Sequence, residues 1–258
     1  VSAALAGLIE AGQAGLATGF AVFLRVGAAM AVLPAFGEQI LPRRVRLVLA
    51  LAFTAVVVPA VAPMLSPPAE GAALARFWAA EVTVGLTLGL GLRLFVLALQ
   101  TAGTMAAQAT SLAQIFGGSA GIDPQPAVAH LLTLAGLALA VIADLHVHVT
   151  QALVASYAAL PPGLFPPAGL IAGWGTWRVA EAFALAFALA APFVVASLIY
   201  NLALGVINRA MPQLMVAFVG APALTLGGLV LLALALPPLL EVWLEALGLF
   251  LADPLAGP

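Results

Sequence analysis

Six runs of mostly apolar residues, roughly 14–35, 45–63, 73–110, 127–159, 179–207 and 217–248, are each long enough to cross a bilayer as a helix, which takes about 20 residues. Between them lie breaks rich in proline and glycine: Pro34 to Pro42, Pro59 to Gly71, Ser111 to Pro126, Pro161 to Gly175 and Gly205 to Gly220. In lipid every backbone polar group must be satisfied within the protein, so such a pattern predicts an all-α fold. The expected architecture is a single membrane-associated bundle of about six long, kinked helices. The third and fourth runs are too long to span upright and require tilt, kinks or extension beyond the bilayer. Composition agrees, with 64% apolar residues, 7% charged and a mean hydropathy of +1.20 over 258 residues.

The charged minority excludes several classes. All basic side chains are arginine, and lysine plus arginine number 8 against 10 acidic groups, for a net charge of −2. That balance supports neither nucleic-acid binding nor a polybasic membrane tether. With no cysteine there is no disulfide and no thiol nucleophile. Glu10, and the lack of a basic stretch ahead of the first apolar run, lead us to expect that this run is retained as a helix rather than cleaved as a signal peptide. Arg43, Arg44 and Arg46 in the first connection and Arg209 in the fifth put both connections in the cytoplasm by the positive-inside rule.

Polar groups within apolar helices are informative because each costs free energy unless paired or wetted. Gln100, Thr104, Gln108 and Ser111 share one face of the third run, which leads into the long break 111–126. That break holds Gly117, Gly118 and Gly121, then Asp123-Pro124, a composition that disfavours helix. Asp144, His148 and Gln151 share a face of the fourth run, and Ser197, Asn201, Gly205 and Asn208 one of the fifth. Such stripes suit either an aqueous interior or hydrogen-bonded helix packing.

Glu81, Gly85, Gly89 and Arg93 form a further ladder of four-residue steps. Its glycines make a seam that admits a neighbouring helix. Glu81 and Arg93 lie about 18 Å apart along a helix axis and need other partners. Arg25, Asp144 and Glu181 are the candidates within the chain. His146 and His148, two residues apart, point to opposite sides of a helix and cannot chelate one metal there, so no metal or cofactor is expected. Motifs for hydrolase, metalloprotease or nucleotide chemistry are missing from the sequence.

Several segments together, in order and spacing, resemble the FliR family of flagellar export-gate proteins, related to the SctT family of injectisomes. They are Arg25-Val-Gly-Ala through Leu33-Pro-Ala-Phe-Gly37, Leu41-Pro-Arg-Arg-Val-Arg46, Glu81 with Gly85 and Gly89, and the glycine break ending at Asp123-Pro124. Further on come Asp144-Leu-His-Val-His148, Ser156-Tyr-Ala-Ala-Leu-Pro-Pro-Gly163, Ala191-Pro192, Asn201-Leu-Ala-Leu-Gly205, Arg209-Ala-Met-Pro-Gln213 and Gly220-Ala-Pro222.

The resemblance implies a non-enzymatic subunit of the type III export gate in the bacterial inner membrane and flagellar basal body. Its partners would be FliP, FliQ and FlhB family proteins, and its cargo unfolded flagellar proteins. It implies a FliP-like part over 1–175 with a plug loop over 111–126, and a FliQ-like helical hairpin over 176–258 turning at Arg209, Pro212 and Gln213. The plug would be Phe116, Gly117, Gly118, Ser119, Ala120, Gly121, Ile122, Asp123 and Pro124. On this reading Gln100, Thr104, Gln108 and Ser111 face the lumen, while Arg25, Glu81, Arg93, Asp144, His148 and Asn201 serve buried polar packing. An injectisome subunit, a six-helix transporter of small solutes and an intramembrane enzyme using Asp144 and His148 are the alternatives.

Overall fold

A computed structural model describes residues 2–34, 42–68, 70–110, 126–210 and 216–257, and its regular elements are all helical. They are α1 (Ser2–Val32), α2 (Arg43–Val61) with a short 3-10 turn (Ala62–Met64), α3 (Ala72–Ala109), α4 (Ala127–Ile142), α5 (Leu145–Ala159), α6 (Ala168–Ala210) and α7 (Val216–Ala252). Five stretches are long and apolar enough to cross a membrane: Gly12–Val32, Arg43–Met64, Ala72–Ala109, Ala168–Ala210 and Pro222–Ala252. The broken pair α4 and α5 would make a sixth. At 1.5 Å per residue the 38 residues of α3 extend about 57 Å, well beyond a hydrocarbon core of about 30 Å.

Two expectations about the breaks are corrected. The fourth apolar run is two helices, because Asp144 takes the left-handed conformation (φ 57°), and is the only described non-glycine residue with positive φ. Its carbonyl starts α5 by accepting from the amides of Val147 and His148 at 2.9 and 3.2 Å. Asp is among the few residues that tolerate this conformation as a single step. The break Pro161 to Gly175 is half helix: α6 begins at Ala168 and carries Gly169, Gly173 and Gly175 inside it. Glycine disfavours a helix by only about 1 kcal/mol, which the packing of neighbouring Trp174 and Arg178, both buried, outweighs.

The chain divides into two compact units. The first comprises Val1–Arg93, Asp144–Arg178 and Gly248–Pro258. Its core includes Val22, Val26, Leu33, Val57, Val61, Ala80 and Val84, each at most 1% exposed. Here α1 lies directly on α3. A Cβ at Gly85 would stand 2.1 Å from the Arg25 carbonyl oxygen, and one at Gly89 would stand 2.6 Å from that of Ala29. Position 85 thus faces 25 and 89 faces 29, so the helices run parallel, and the glycine seam is where their backbones touch. Near the C-terminus, the Trp174 indole donates to the Pro254 carbonyl at 3.0 Å and Arg178 donates to that of Ala256 at 3.1 Å. The Arg178 guanidinium sits 4.4 Å from the Trp177 ring centre and 4.8 Å from that of Phe250.

The second unit comprises Leu94–Ala143 and Val179–Leu247. A Cβ at Gly103 would stand 2.3 Å from the Ala129 Cα, so α3 and α4 also approach through a glycine. The buried Trp243 donates its indole N–H to the Phe95 carbonyl at 2.9 Å. Beyond residue 178, α6 and α7 leave much apolar surface uncovered, including Leu198, Ile199, Leu202, Val206, Leu226 and Leu234. The two helices are joined by Tyr200 of α6, whose hydroxyl donates to the carbonyl of Gly220 in α7.

Candidate functional site

The most organised polar group in the first unit surrounds Arg25. About three-quarters of the way along α1, with its side chain fully buried, it has no water to solvate it. A guanidinium taken out of water is tolerated only when its donors are consumed and its charge is balanced. The fold supplies both. Glu81, four residues before Gly85 on α3 and equally buried, accepts from Arg25 Nε at 2.8 Å and from Nη2 at 3.1 Å, a bidentate pair. Nη1 donates to Ser156 Oγ at 3.1 Å, and Nη2 also donates to the Leu160 carbonyl at 3.1 Å. The Tyr157 ring lies against the guanidinium, 3.7 Å from its carbon to the ring centre, in cation–π contact.

The turn after α5 completes the centre. Leu160 is extended, as a residue before proline should be. Pro161-Pro162-Gly163 then reverses the chain, the Leu164 amide donating to the Pro161 carbonyl at 3.3 Å. Proline followed by glycine with φ +73° is the type II arrangement. It aims the Gly163 N–H at Glu81 Oε1, 2.9 Å away. A Cβ on Gly163 would also stand 2.2 Å from the Phe77 ring. Gly163→Ala is therefore expected to cost about 2–4 kcal/mol, from the left-handed backbone and from overpacking. An unchanged apparent melting temperature of the detergent-solubilised variant would contradict this account of the turn.

Of the partners the sequence offers for Glu81, the structure selects Arg25. The other polar positions fall elsewhere. Arg93 is half-buried on α3. Asp144, His148 and Asn201 were expected among buried polar groups, yet all three are exposed on the chain. Asp144 ends a helix break, and the Asn201 amide donates to the carbonyl and hydroxyl of Ser197 on its own helix, at 2.9 and 3.2 Å. Gln100 and Thr104 are half-buried and Gln108 is exposed, with the Thr104 hydroxyl donating to the Gln100 carbonyl at 2.8 Å. Arg209 is exposed in the last turn of α6. Ser111, the whole stretch Phe116 to Pro124, and Pro212 and Gln213 lie outside the described residues. Sequence reasoning missed Ser156, Tyr157 and the Gly163 amide as members of the centre. The signal was Arg25 itself, since a guanidinium with five N–H groups inside an apolar helix needs more acceptors than one carboxylate.

The family model for bacterial export proteins, family 1, matches residues 16–249. The chain belongs to the FliR family. It is 36% identical over 226 residues to the flagellar biosynthetic protein FliR of Caulobacter vibrioides, covering 87% of this chain and 90% of that one. It is 30% identical to the FliR proteins of Pectobacterium carotovorum, over 83% of this chain and 82% of the relative, and of Escherichia coli K12, over 87% and 85%. In this FliR-family chain the Arg25 guanidinium, the Glu81 carboxylate, the Ser156 hydroxyl, the Leu160 carbonyl and the Gly163 amide are bonded to one another, whereas the buried Tyr157 hydroxyl has no hydrogen-bond partner among the described residues. Among the described residues no group of three or more His, Cys, Asp or Glu side chains is placed to hold a metal ion. What the centre can do is fix α1, α3, α5 and the following turn in one register.

Proposed function

We propose that the chain is a structural and gating subunit of the flagellar type III export apparatus in the bacterial inner membrane. The observation that carries this is its likeness, over nearly the whole of both chains, to a protein named for flagellar biosynthesis. In this reading the chain packs with FliP and FliQ family subunits, with an FlhB family protein at the cytoplasmic mouth, around a path for unfolded flagellar proteins. Residues 1–175 form the FliP-like part and 176–258 the FliQ-like hairpin. The contact of Tyr200 on α6 with Gly220 on α7 supports a hairpin, and the uncovered apolar faces of α6 and α7 suit burial against other subunits as well as lipid. Gln100, Thr104 and Gln108 border the path. Phe116 to Pro124 plug it, the glycines letting apolar Phe116 and Ile122 block a pore and move aside.

Deleting Gly117 to Gly121 tests this reading. The expected result is ion leakage through fully assembled complexes, measured as loss of membrane potential in cells, together with altered motility. Assembly with no leakage would remove the plug assignment and reopen the transporter alternative.

A further inference from the structure

Among the described residues none bonds or pairs with Arg93, which is half-buried on α3. Glu81, the one acidic residue of that helix, is taken by Arg25. Leu86 and Leu90 share the side of α3 that carries Arg93, within about 60° of arc at 3.6 residues per turn, and are 37% and 52% exposed. We propose that a helix of a different subunit docks on this face and brings an aspartate or glutamate carboxylate to Arg93. This rests on the reading of the chain as one subunit of a multi-chain apparatus.

Position makes an unpaired charge costly here. Arg93 has 21 residues of α3 before it and 16 after it, so it stands about 31 and 24 Å from the helix ends. The whole helix is apolar enough to cross a membrane, and an ionisable group at such depth needs an opposite charge or water. The leucines argue against water: a wetted wall would expose Leu86 and Leu90, whereas a docked helix buries them. They also set this part of α3 apart from the polar positions Gln100, Thr104 and Gln108 nearer its other end. The lone charge argues against a lipid phosphate, since headgroup sites gather several basic side chains. Arg76, the other arginine of α3, stands about 26 Å away along the axis. A single carboxylate balances a single guanidinium and takes two of its N–H bonds. The chain already meets the same need once in this way, in the bidentate pair of Arg25 and Glu81 from two different helices.

The test uses cells that express the whole export apparatus, with p-benzoylphenylalanine in place of Leu90 as a photo-crosslinker. Ultraviolet light should join the chain to a different polypeptide, within an apolar helix of that polypeptide that bears an Asp or Glu. Arg93→Leu should lower the amount of that polypeptide recovered with the chain by at least about tenfold, because the carboxylate is stranded. The same variant should leave the melting temperature of the isolated chain in detergent unchanged or raised. Arg93→Lys should keep part of the recovery. Arg93→Glu should lose it, and changing the cross-linked carboxylate to arginine in the same cells should restore it. No cross-link, or one to lipid alone or to a second copy of this chain, would overturn the proposal, as would normal recovery with Arg93→Leu. A lower melting temperature of the isolated Arg93→Leu chain would overturn it too, since the arginine would then serve this chain's own packing. In each of these cases, other subunits still recovered with the wild-type chain would leave its place in the apparatus standing. A wild-type chain that recovers no other subunit would remove both readings.

Discussion

Replacing Glu81 by alanine should destabilise the chain by about 3–5 kcal/mol, among the largest effects available to one substitution, because it leaves the Arg25 charge buried and unbalanced. Arg25→Ala should cost a similar amount, stranding Glu81 and freeing the turn at Gly163 that it holds. Removing both charges is the informative case. A well-packed buried ion pair is often replaceable by apolar residues of similar volume at little cost, so Arg25→Met with Glu81→Leu should recover most of the stability lost in either single variant. The measurement is the fraction of membrane-integrated protein surviving a graded heat step, read as a double-mutant cycle. If the double variant is as unstable as the sum of the singles, the pair is not acting as a unit. Export activity alongside would show whether the centre does more than hold the helices in register.

The second large effect belongs to the seam. A Cβ at Gly85 would lie 2.1 Å from a backbone oxygen of α1, not from a side chain that could turn away. Even Gly85→Ala therefore has to separate two helices, and the expected cost is at the upper end of the about 1–3 kcal/mol range for overpacking. Gly85→Leu should prevent the α1–α3 contact and, because the same displacement pulls Arg25 from Glu81, should behave like loss of the ion pair. Gly19→Ala is the control. It lies on the same α1 with no atom within 4 Å of the added carbon, and should be neutral or stabilising by about 0.5–1 kcal/mol, the usual gain of alanine over glycine in a helix. Equal melting temperatures for Gly85→Ala and Gly19→Ala would contradict the parallel packing described above.

Much of this was legible before any coordinates. Hydropathy alone located the long helices, since a bilayer-length apolar run leaves the backbone few choices: the third run, 73–110, agrees with α3 to within one residue at either end. The seam was legible from the four-residue spacing of Gly85 and Gly89. The break at Asp144 was not, because a left-handed aspartate carries no helix-breaking signature and sits among good helix formers. Nor was the early start of α6. The glycines at 169, 173 and 175 read as a loop, while what orders them is Trp174 and Arg178 meeting a C-terminal segment about 80 residues further on. The Arg25 centre was half legible. Two opposite charges in apolar helices had to find partners, but which partners, and that a proline–glycine turn would supply an amide, depends on contacts across up to 135 residues of chain.

The distance in sequence between Arg25 and Glu81 also sets a problem of timing. The two groups are 56 positions apart, so at about 5–20 residues per second the ribosome delivers the carboxylate roughly 3 to 11 s after the guanidinium. During that interval an arginine near the middle of a nascent span carries an insertion penalty of about 2.5–3.5 kcal/mol with nothing to offset it. The first helix is thus expected to wait at the translocon, or at the bilayer surface, until the third arrives. Fixing the two in the membrane together makes biogenesis of this chain depend on helices that are not neighbours in synthesis.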